Sequence, residues 1–174
     1  MTAAHLLAAL ILTGGSPLHD GNAWDGVSLR TVTDETARVT LVVPLTGALL
    51  ETHHFTDAKA GAQMRHAFTL SSLRGEAVEL GVFENPEGLD LDAFLAEHLA
   101  FFRLAEHTEL PWTATKQRVK AVLFEHPRTS QQYARRAAVF AVGRRVFVLS
   151  CRNLEDRFAA GAFAALLSEL EVKE

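Results

Sequence analysis

Cysteine is almost absent from this sequence of 174 residues, which contains Cys151 alone. A disulfide bond within the chain is therefore excluded, and a zinc site would depend mainly on histidine and carboxylate ligands. An excess of positive charge is also lacking, because the formal net charge is -4 at pH 7. A mildly acidic protein gives no electrostatic reason to expect a nucleic acid or an anionic membrane surface as its partner.

Long apolar runs are missing too. The run at residues 3–12 is too short for a transmembrane helix, which needs about 20 residues. We expect residues 1–26 to form an N-terminal helix, or a degenerate targeting segment, followed by a loop. No lysine or arginine precedes Arg30 and no small-x-small cleavage pattern follows the run, which favours a cytoplasmic protein, whereas export requires residues 3–12 to act as a signal. Residues 27–174 have the size of a single domain.

The sequence also lacks the motifs that mark catalytic or cofactor-binding sites. The sequence has no HExxH, no GxSxG and no glycine-rich phosphate or dinucleotide loop, so it predicts no cofactor and no enzymatic mechanism. A weak metal-like cluster exists at His53 and His54, but adjacent side chains on an extended backbone point apart, so a site would need His66 as well. A His-dependent metal-binding protein or enzyme is therefore the third of our functional hypotheses.

The chain does contain two apolar runs, residues 137–142 and 146–151, separated by Gly143-Arg144-Arg145. Both runs are rich in Val or Phe, which is typical of a β-hairpin closed by a short loop that contains glycine. Neither run alternates with polar residues, so both faces of each strand are expected to be covered. This pattern predicts that the hairpin lies in the middle of a sheet.

Further strands are predicted before and between two helices. The strands are expected at residues 27–32, 37–43, 62–73, 76–83 and 117–125, with a weak continuation at 47–52 and an exposed polar connection at 53–61. Amphipathic spacing predicts helices at residues 91–106 and 157–170, each with residues at or before its start that can cap it, namely Asp90 or Asp92 and Asn153 or Asp156. These elements predict an α+β fold in which helices flank a central antiparallel sheet of about six or seven strands.

The order of these elements resembles the PsbP-like and DcrB-like superfamily, whose fold is shared with the nucleotide-release factor of the Ran GTPase. The likeness covers residues 37–172 in outline and rests on four stretches: LDLDAFLAEHLAFF, KQRVKAVLFE, YARRAAVFAVGRRVFVLSC and DRFAAGAFAALLSEL. It implies a PsbP-like α/β/α sandwich with a non-catalytic accessory or binding role, and it implies no site residue. Many bacterial members resemble exported lipoproteins, and this chain lacks the cysteine that would accept a lipid.

Arginine is concentrated around the predicted hairpin, at Arg135, Arg136, Arg144, Arg145 and Arg152. If Val142 pairs with Val146, then Arg136 lies opposite Arg152, and two like charges in that position need an acid between them. Internal neutralisation by Glu155 or Asp156 is the favoured interpretation, because surface charges are usually solvated or locally paired. The alternative is an acidic protein surface or an anionic ligand, which makes Arg135, Arg136, Arg144 and Arg145 candidate partner-binding residues.

Trp112, beside Pro111 in a predicted loop, is a further candidate anchor for a partner, although it is equally suited to closing one end of the core. Our leading hypothesis is a non-enzymatic accessory or protein-binding domain, as a monomer or homodimer, with an unidentified protein as its partner. The alternative is a small-ligand domain that holds an apolar or anionic molecule between the sheet and a helix, in a cavity lined by Phe94, Phe102 and Phe124.

Overall fold

In the computed structural model, the described residues are 27–59, 64–75, 77–99, 106–109, 116, 118–126, 128–130 and 132–173. They form two antiparallel sheets and two helices. The elements in chain order are β1 (Leu29–Asp34), β2 (Val39–Pro44), β3 (Ala48–Lys59), β4 (Met64–Ser72), β5 (Ala77–Glu84), α1 (Leu91–His98), β6 (Glu106–Glu109), β7 (Ala121–His126), β8 (Arg135–Val142), β9 (Arg145–Cys151), α2 (Arg157–Glu169) and β10 (Glu171–Val172).

The larger sheet has seven strands in the order β3-β4-β5-β9-β8-β7-β6, and the smaller sheet has the order β1-β2-β10. The predicted α+β class, with a central antiparallel sheet of about six or seven strands and flanking helices, is confirmed. The first two strands were expected in the central sheet, but they lie in the smaller one. Pro44 ends β2, and Gly47 adopts a φ of 77° in the bend that follows, so the chain leaves the small sheet before β3 begins.

The central hairpin consists of β8 and β9, which occupy adjacent positions within the seven-stranded sheet. Val142 pairs with Arg145, so the loop contains two residues, Gly143 and Arg144, and not three. Gly143 has a φ of 58°, which suits the first central position of a type II′ turn, and such turns match the twist of the strands they join. As a result the register differs by one residue from the predicted one, and Arg136 pairs with Cys151 instead of facing Arg152.

Both faces of the hairpin are buried, as the apolar runs predict. On one face Phe140 and Phe147 stack with ring centroids 5.3 Å apart, in a core that also contains Phe163 of α2 and the inner residues of β2. On the other face Val139, Val146 and Val148 pack in a second core with Phe94 of α1. Because successive residues of a strand point to opposite sides, α1 and α2 with the small sheet cover opposite faces. This arrangement is the expected α/β/α sandwich.

Carboxylate caps define where both helices begin. The side chain of Asp90 accepts a hydrogen bond from the amide of Ala93 at 2.8 Å, and that of Asp156 accepts one from the amide of Ala159 at 3.0 Å. Helix α1 ends at His98, so the prediction of a helix over residues 91–106 is too long: Glu106 already belongs to β6, and residues 100–105 lie outside the described part of the chain. Neither described helix has the length and apolar character needed to cross a membrane.

An exposed connection is predicted at residues 53–61, but residues 53–59 belong to β3, and residues 60 and 61 lie outside the described part of the chain. β3 is an edge strand of the seven-stranded sheet and pairs antiparallel with β4. The side chains from Glu51 to His54 are exposed, as those of an edge strand can be, and the ladder depends on backbone groups that every residue carries. The polar composition of these residues therefore predicted a loop where the structure has an edge strand.

We expect the substitution Phe147→Ala to lower the free energy of unfolding by about 3–5 kcal/mol, because it removes a fully buried ring from the larger core. The matched control is Leu73→Ala in the β4–β5 turn, where the side chain is 86% exposed and the expected change is within about 0.5 kcal/mol. Chemical denaturation of both variants measures the difference. Equal losses at the two positions would contradict the central placement of the hairpin.

Candidate functional site

The hairpin arginines lie at two opposite ends of the central strands. Arg144 and Arg145 are at the β8–β9 turn, which we call the hairpin tip, whereas Arg135 and Arg136 begin β8 and Arg152 follows β9 at the other end. A strand of the length of β8 separates the two groups by about 24 Å, since each residue advances the chain by about 3.4 Å. The five arginines therefore do not form one surface.

At the end away from the tip, two arginines are paired with acids of neighbouring strands. Arg136 has only 4% of its side chain exposed and forms an ion pair with Glu125, its cross-strand partner on β7. Arg152 forms an exposed pair with Glu79 at 3.1 Å. The internal acids that the sequence suggested have other roles, because Glu155 binds Arg128 and Asp156 caps α2. Arg136 and Arg152 are therefore paired with acids of this chain, but these acids come from strands that are distant in sequence.

We expect Glu125→Ala to lower the free energy of unfolding by about 3 kcal/mol, because it leaves the buried guanidinium of Arg136 without its counter-charge. The control is Glu79→Ala, which removes the partner of the exposed Arg152 and should cost no more than about 1 kcal/mol. Urea denaturation of the two variants at the same pH provides the comparison. A smaller loss for Glu125→Ala than for Glu79→Ala would show that the buried pair does not stabilise the fold.

At the hairpin tip, Arg145 connects three parts of the fold. Its guanidinium donates a hydrogen bond through Nη1 to the carbonyl of Ala37 at 2.6 Å and another through Nη2 to the carbonyl of Lys173. It also lies 5.6 Å from the centroid of the Phe147 ring, within the range of a cation–π contact. Arg145 therefore holds the β1–β2 turn and the residue after β10 against the central hairpin.

An open cleft of about 430 Å³ lies beside the hairpin tip, where the small sheet meets the large one. Its lining consists of Thr36, Arg38, His66, Glu84, Val142, Gly143, Arg144 and Arg145. The side chain of Arg144 reaches only the carbonyl of Pro86, at 3.3 Å, and no ion pair or hydrogen bond involves the guanidinium of Arg38 among the described residues. Two exposed guanidinium groups thus border the cleft without a carboxylate partner in the part of the chain that the structure describes.

Arg38 also has an unusual backbone conformation. Its φ is 53°, in the left-handed region that glycine or asparagine adopts most easily, and a longer side chain costs about 1 kcal/mol there. The conformation is held by the amide of Lys173, which donates to the carbonyl of Arg38 at 2.9 Å. The tight turn therefore places an arginine at the mouth of the cleft in spite of its backbone preference.

A series of polar contacts runs from the small sheet into one wall of the cleft. Asp34, at the end of β1, has Oδ2 3.3 Å from Nε2 of His54 on β3, and its Oδ1 accepts from the amide of Ala37. Nδ1 of His54 is 2.8 Å from Nδ1 of His66, its cross-strand partner on β4. The two rings meet edge to face, with centroids 5.0 Å apart. His66 is the member of this series that lines the cleft.

The surroundings of His66 hold its pKa below the ordinary value of 6.5. Desolvation by burial is the largest cause, followed by the charge of His54, and Arg145 acts in the same direction. The carboxylates of Asp34 and Glu84 oppose this lowering. His66 is therefore neutral near pH 7 and can take up a proton only below the usual range for histidine.

Of the three weak metal candidates, the structure brings two together. His54 and His66 share one side of the β3–β4 ladder, whereas His53 pairs with Ala67 and its ring stacks near Phe55 at a centroid distance of 6.5 Å. Within the described ranges, no group of three or more histidine, cysteine, aspartate or glutamate side chains is arranged to hold a metal ion. His54 and His66 are joined by a hydrogen bond between their Nδ1 atoms.

Other predicted site residues lie elsewhere. Trp112 and Phe102 are outside the described residues, so the anchor predicted at Trp112 stays a prediction. Phe94 and Phe124 are 0% and 3% exposed and belong to the second core, where the Phe94 ring also contacts His98. These two rings fill space between the sheet and α1. The cleft that the structure describes is at the hairpin tip.

Sequence reasoning missed Arg38, Asp34 and Glu84 as members of this site. Nothing local marks them, because each ends a strand or a turn and resembles ordinary surface charge. The pairing of His54 with His66 had a usable signal, since both lie in segments with β propensity, but it required β3 to be recognised as a strand.

We expect protonation of His66 to make the protein more sensitive to acid. A histidine whose pKa is lower in the folded state binds fewer protons folded than unfolded, so stability is unaffected well above pH 6.5 and declines as the pH falls through that value. The variant His66→Asn keeps a hydrogen-bonding group near Nδ1 and does not titrate. Its free energy of unfolding, measured against pH, should fall less steeply below pH 6.5 than that of the wild type; superimposable profiles would contradict the assignment.

The comparisons with known proteins support the fold. No family model matches the chain, and no curated protein matches it either. Among solved structures, the chain is similar to cyanobacterial PsbP (CyanoP) from Synechocystis sp. PCC 6803, with a TM-score of 0.52 and 14% sequence identity over 90% of this chain and 99% of that one. At this identity the likeness concerns architecture. The chain therefore has a PsbP-like fold, as the order of its elements suggested.

Proposed function

We propose that this chain is a non-catalytic accessory domain that binds a partner protein, and that the partner contacts the hairpin tip. The observation that carries the proposal is the pair of exposed guanidinium groups, Arg38 and Arg144, which border an open cleft and have no carboxylate partner within the described residues. Arginine is enriched where protein surfaces recognise one another, because its planar fork binds carboxylates in a bidentate manner.

The PsbP-like fold supports the accessory part of the proposal, because the superfamily that the sequence resembles is expected to act by binding. The DcrB-like relationship and the link to the Ran nucleotide-release factor belong to the same proposal. His54 and His66 are hydrogen-bonded to each other, and His54 also contacts the carboxylate of Asp34. Cys151, the single thiol, is buried in the larger core.

The electrostatics of the tip define the kind of partner surface that fits it. The cleft is lined by three arginines and one carboxylate, that of Glu84, so an acidic segment of a partner is attracted to it. Arg135 is also exposed, but it stands at the opposite end of the hairpin beside arginines already paired with acids. We therefore place the contact at the tip, and Arg135 and Trp112 define the alternative surfaces.

A charge-reversal capture experiment tests the proposal. We expect the wild type to capture a specific protein from native extract, and Arg38→Glu or Arg144→Glu to reduce the captured amount about tenfold or more, because either change places a repulsive carboxylate at the tip. The control is Arg74→Glu, an identical reversal at the exposed β4–β5 turn. Higher salt should weaken the wild-type interaction, since exposed charges are screened.

The pattern among the variants decides the location. Equal recovery from wild type, Arg38→Glu and Arg144→Glu would refute binding at the tip. If recovery were lost only in Arg135→Glu or in Trp112→Ala, the partner would bind at one of those alternative positions, and the proposal would be wrong about the surface.

A further inference from the structure

The lining of the cleft at the hairpin tip contains more cationic than anionic side chains. The carbonyl groups of Ala37 and Lys173 fix the position of the Arg145 guanidinium. Arg38 and Arg144 add two further cations, and Glu84 is the carboxylate in the lining. A volume of about 430 Å³ is within the range of small-ligand sites, which begins near 300 Å³.

The contacts of His54 and His66 determine which ring nitrogen can accept a further proton. The carboxylate of Asp34, 3.3 Å from Nε2 of His54, favours a hydrogen on that nitrogen, and in that tautomer Nδ1 of His54 is an acceptor. Nδ1 of His66 must then donate across the 2.8 Å contact, which leaves Nε2 of His66 with a free lone pair. This nitrogen is the basic atom of the ring that lines the cleft.

We infer that the cleft binds an oxyanion, a carboxylate or a tetrahedral oxyanion, between Arg38 and Arg144, and that His66 takes up a proton when the anion binds. The anion supplies the negative charge that the two guanidinium groups lack within the described residues. His54 orients His66 through their hydrogen bond and Asp34 contacts His54, so both are positioning residues in this scheme.

The coupling between anion and proton follows from the groups around His66. Asp34 from β1 and Glu84 from β5 favour its protonated form, whereas His54 from β3, Arg145 from β9 and burial oppose it. An anion held by Arg38 and Arg144 adds negative charge beside the His66 ring and therefore favours its protonated form, the imidazolium. By linkage, the same anion must bind more tightly as the pH falls.

This inference goes beyond partner binding, because the oxyanion need not belong to a protein. The two proposals concern the same surface, but each can be refuted without the other. A purified chain that binds no simple anion still captures its partner if the partner contact is correct, and a chain with an anion site need not capture any protein.

Isothermal titration and histidine ring NMR with two probes test the inference on the full chain. The first probe is sulfate, whose charge is constant between about pH 5 and 8, where histidine titrates. The second is an acetylated tri-glutamate peptide. For sulfate we expect affinity about tenfold higher at acidic than at neutral pH, which corresponds to a rise of about one unit in the pKa of His66. Arg38→Gln and Arg144→Gln should weaken binding at every pH, and Arg74→Gln is the matched control.

The His66→Asn variant tests whether proton uptake by His66 causes the pH dependence of anion binding. It should still bind sulfate, but with an affinity that no longer depends on pH, and unfolding curves confirm that each variant is folded. Tighter binding of the peptide than of sulfate would identify the ligand as a carboxylate on a polypeptide. Tighter binding of sulfate would identify it as a small tetrahedral oxyanion. Both outcomes support an oxyanion site in the cleft. The inference is refuted if neither probe binds, if Arg38→Gln and Arg144→Gln both bind like wild type, or if His66→Asn keeps the wild-type pH dependence.

Discussion

The guanidinium of Arg145 is the contact on which the candidate site depends. It joins the β1–β2 turn, through Ala37, to the residue after β10, through Lys173, and it rests near the ring of Phe147 in the central hairpin. Arginine suits this role because its rigid fork can donate to two carbonyl groups at once while its plane faces an aromatic ring. The small sheet is thereby held at the end of the large one, and the gap between them is the cleft.

The seven-stranded sheet explains why most charges of the hairpin lie at its ends. The interior of β8 and β9 is covered on both faces by apolar side chains, so an arginine within the strands must be paired, as Arg136 is with Glu125. At the tip, by contrast, Arg144 is exposed and reaches one carbonyl. The same residue type is thus buried and paired with an acid at Arg136, and exposed at Arg144.

The histidine pair shows how an edge strand contributes to a site. β3 has exposed polar side chains from Glu51 to His54 and adds little to the core, yet its register with β4 places His54 against His66. Asp34 comes from the other sheet, so the chain of three side chains bridges the two sheets where the cleft opens. Burial of His66 at this junction lowers the pKa of its ring below the ordinary value.

Periodicity and caps in the sequence were sufficient for the central hairpin, the two helices that begin after Asp90 and Asp156, and the α+β class, because these features depend on local propensity and on which side chains avoid water. The first half of β3 was predicted as a weak strand and its polar second half as a loop. A two-residue turn shifted the hairpin register by one, since sequence spacing does not reveal which turn closes a hairpin.

Only the tertiary structure decided which acids neutralise the arginines and which residues meet in the cleft. Glu125, Glu79, Asp34 and Arg38 come from strands and turns far away in the chain, and their charges carry no local signal of their partners. The physical reason is that apolar burial is encoded residue by residue, whereas a polar contact between strands exists only after the sheets have assembled.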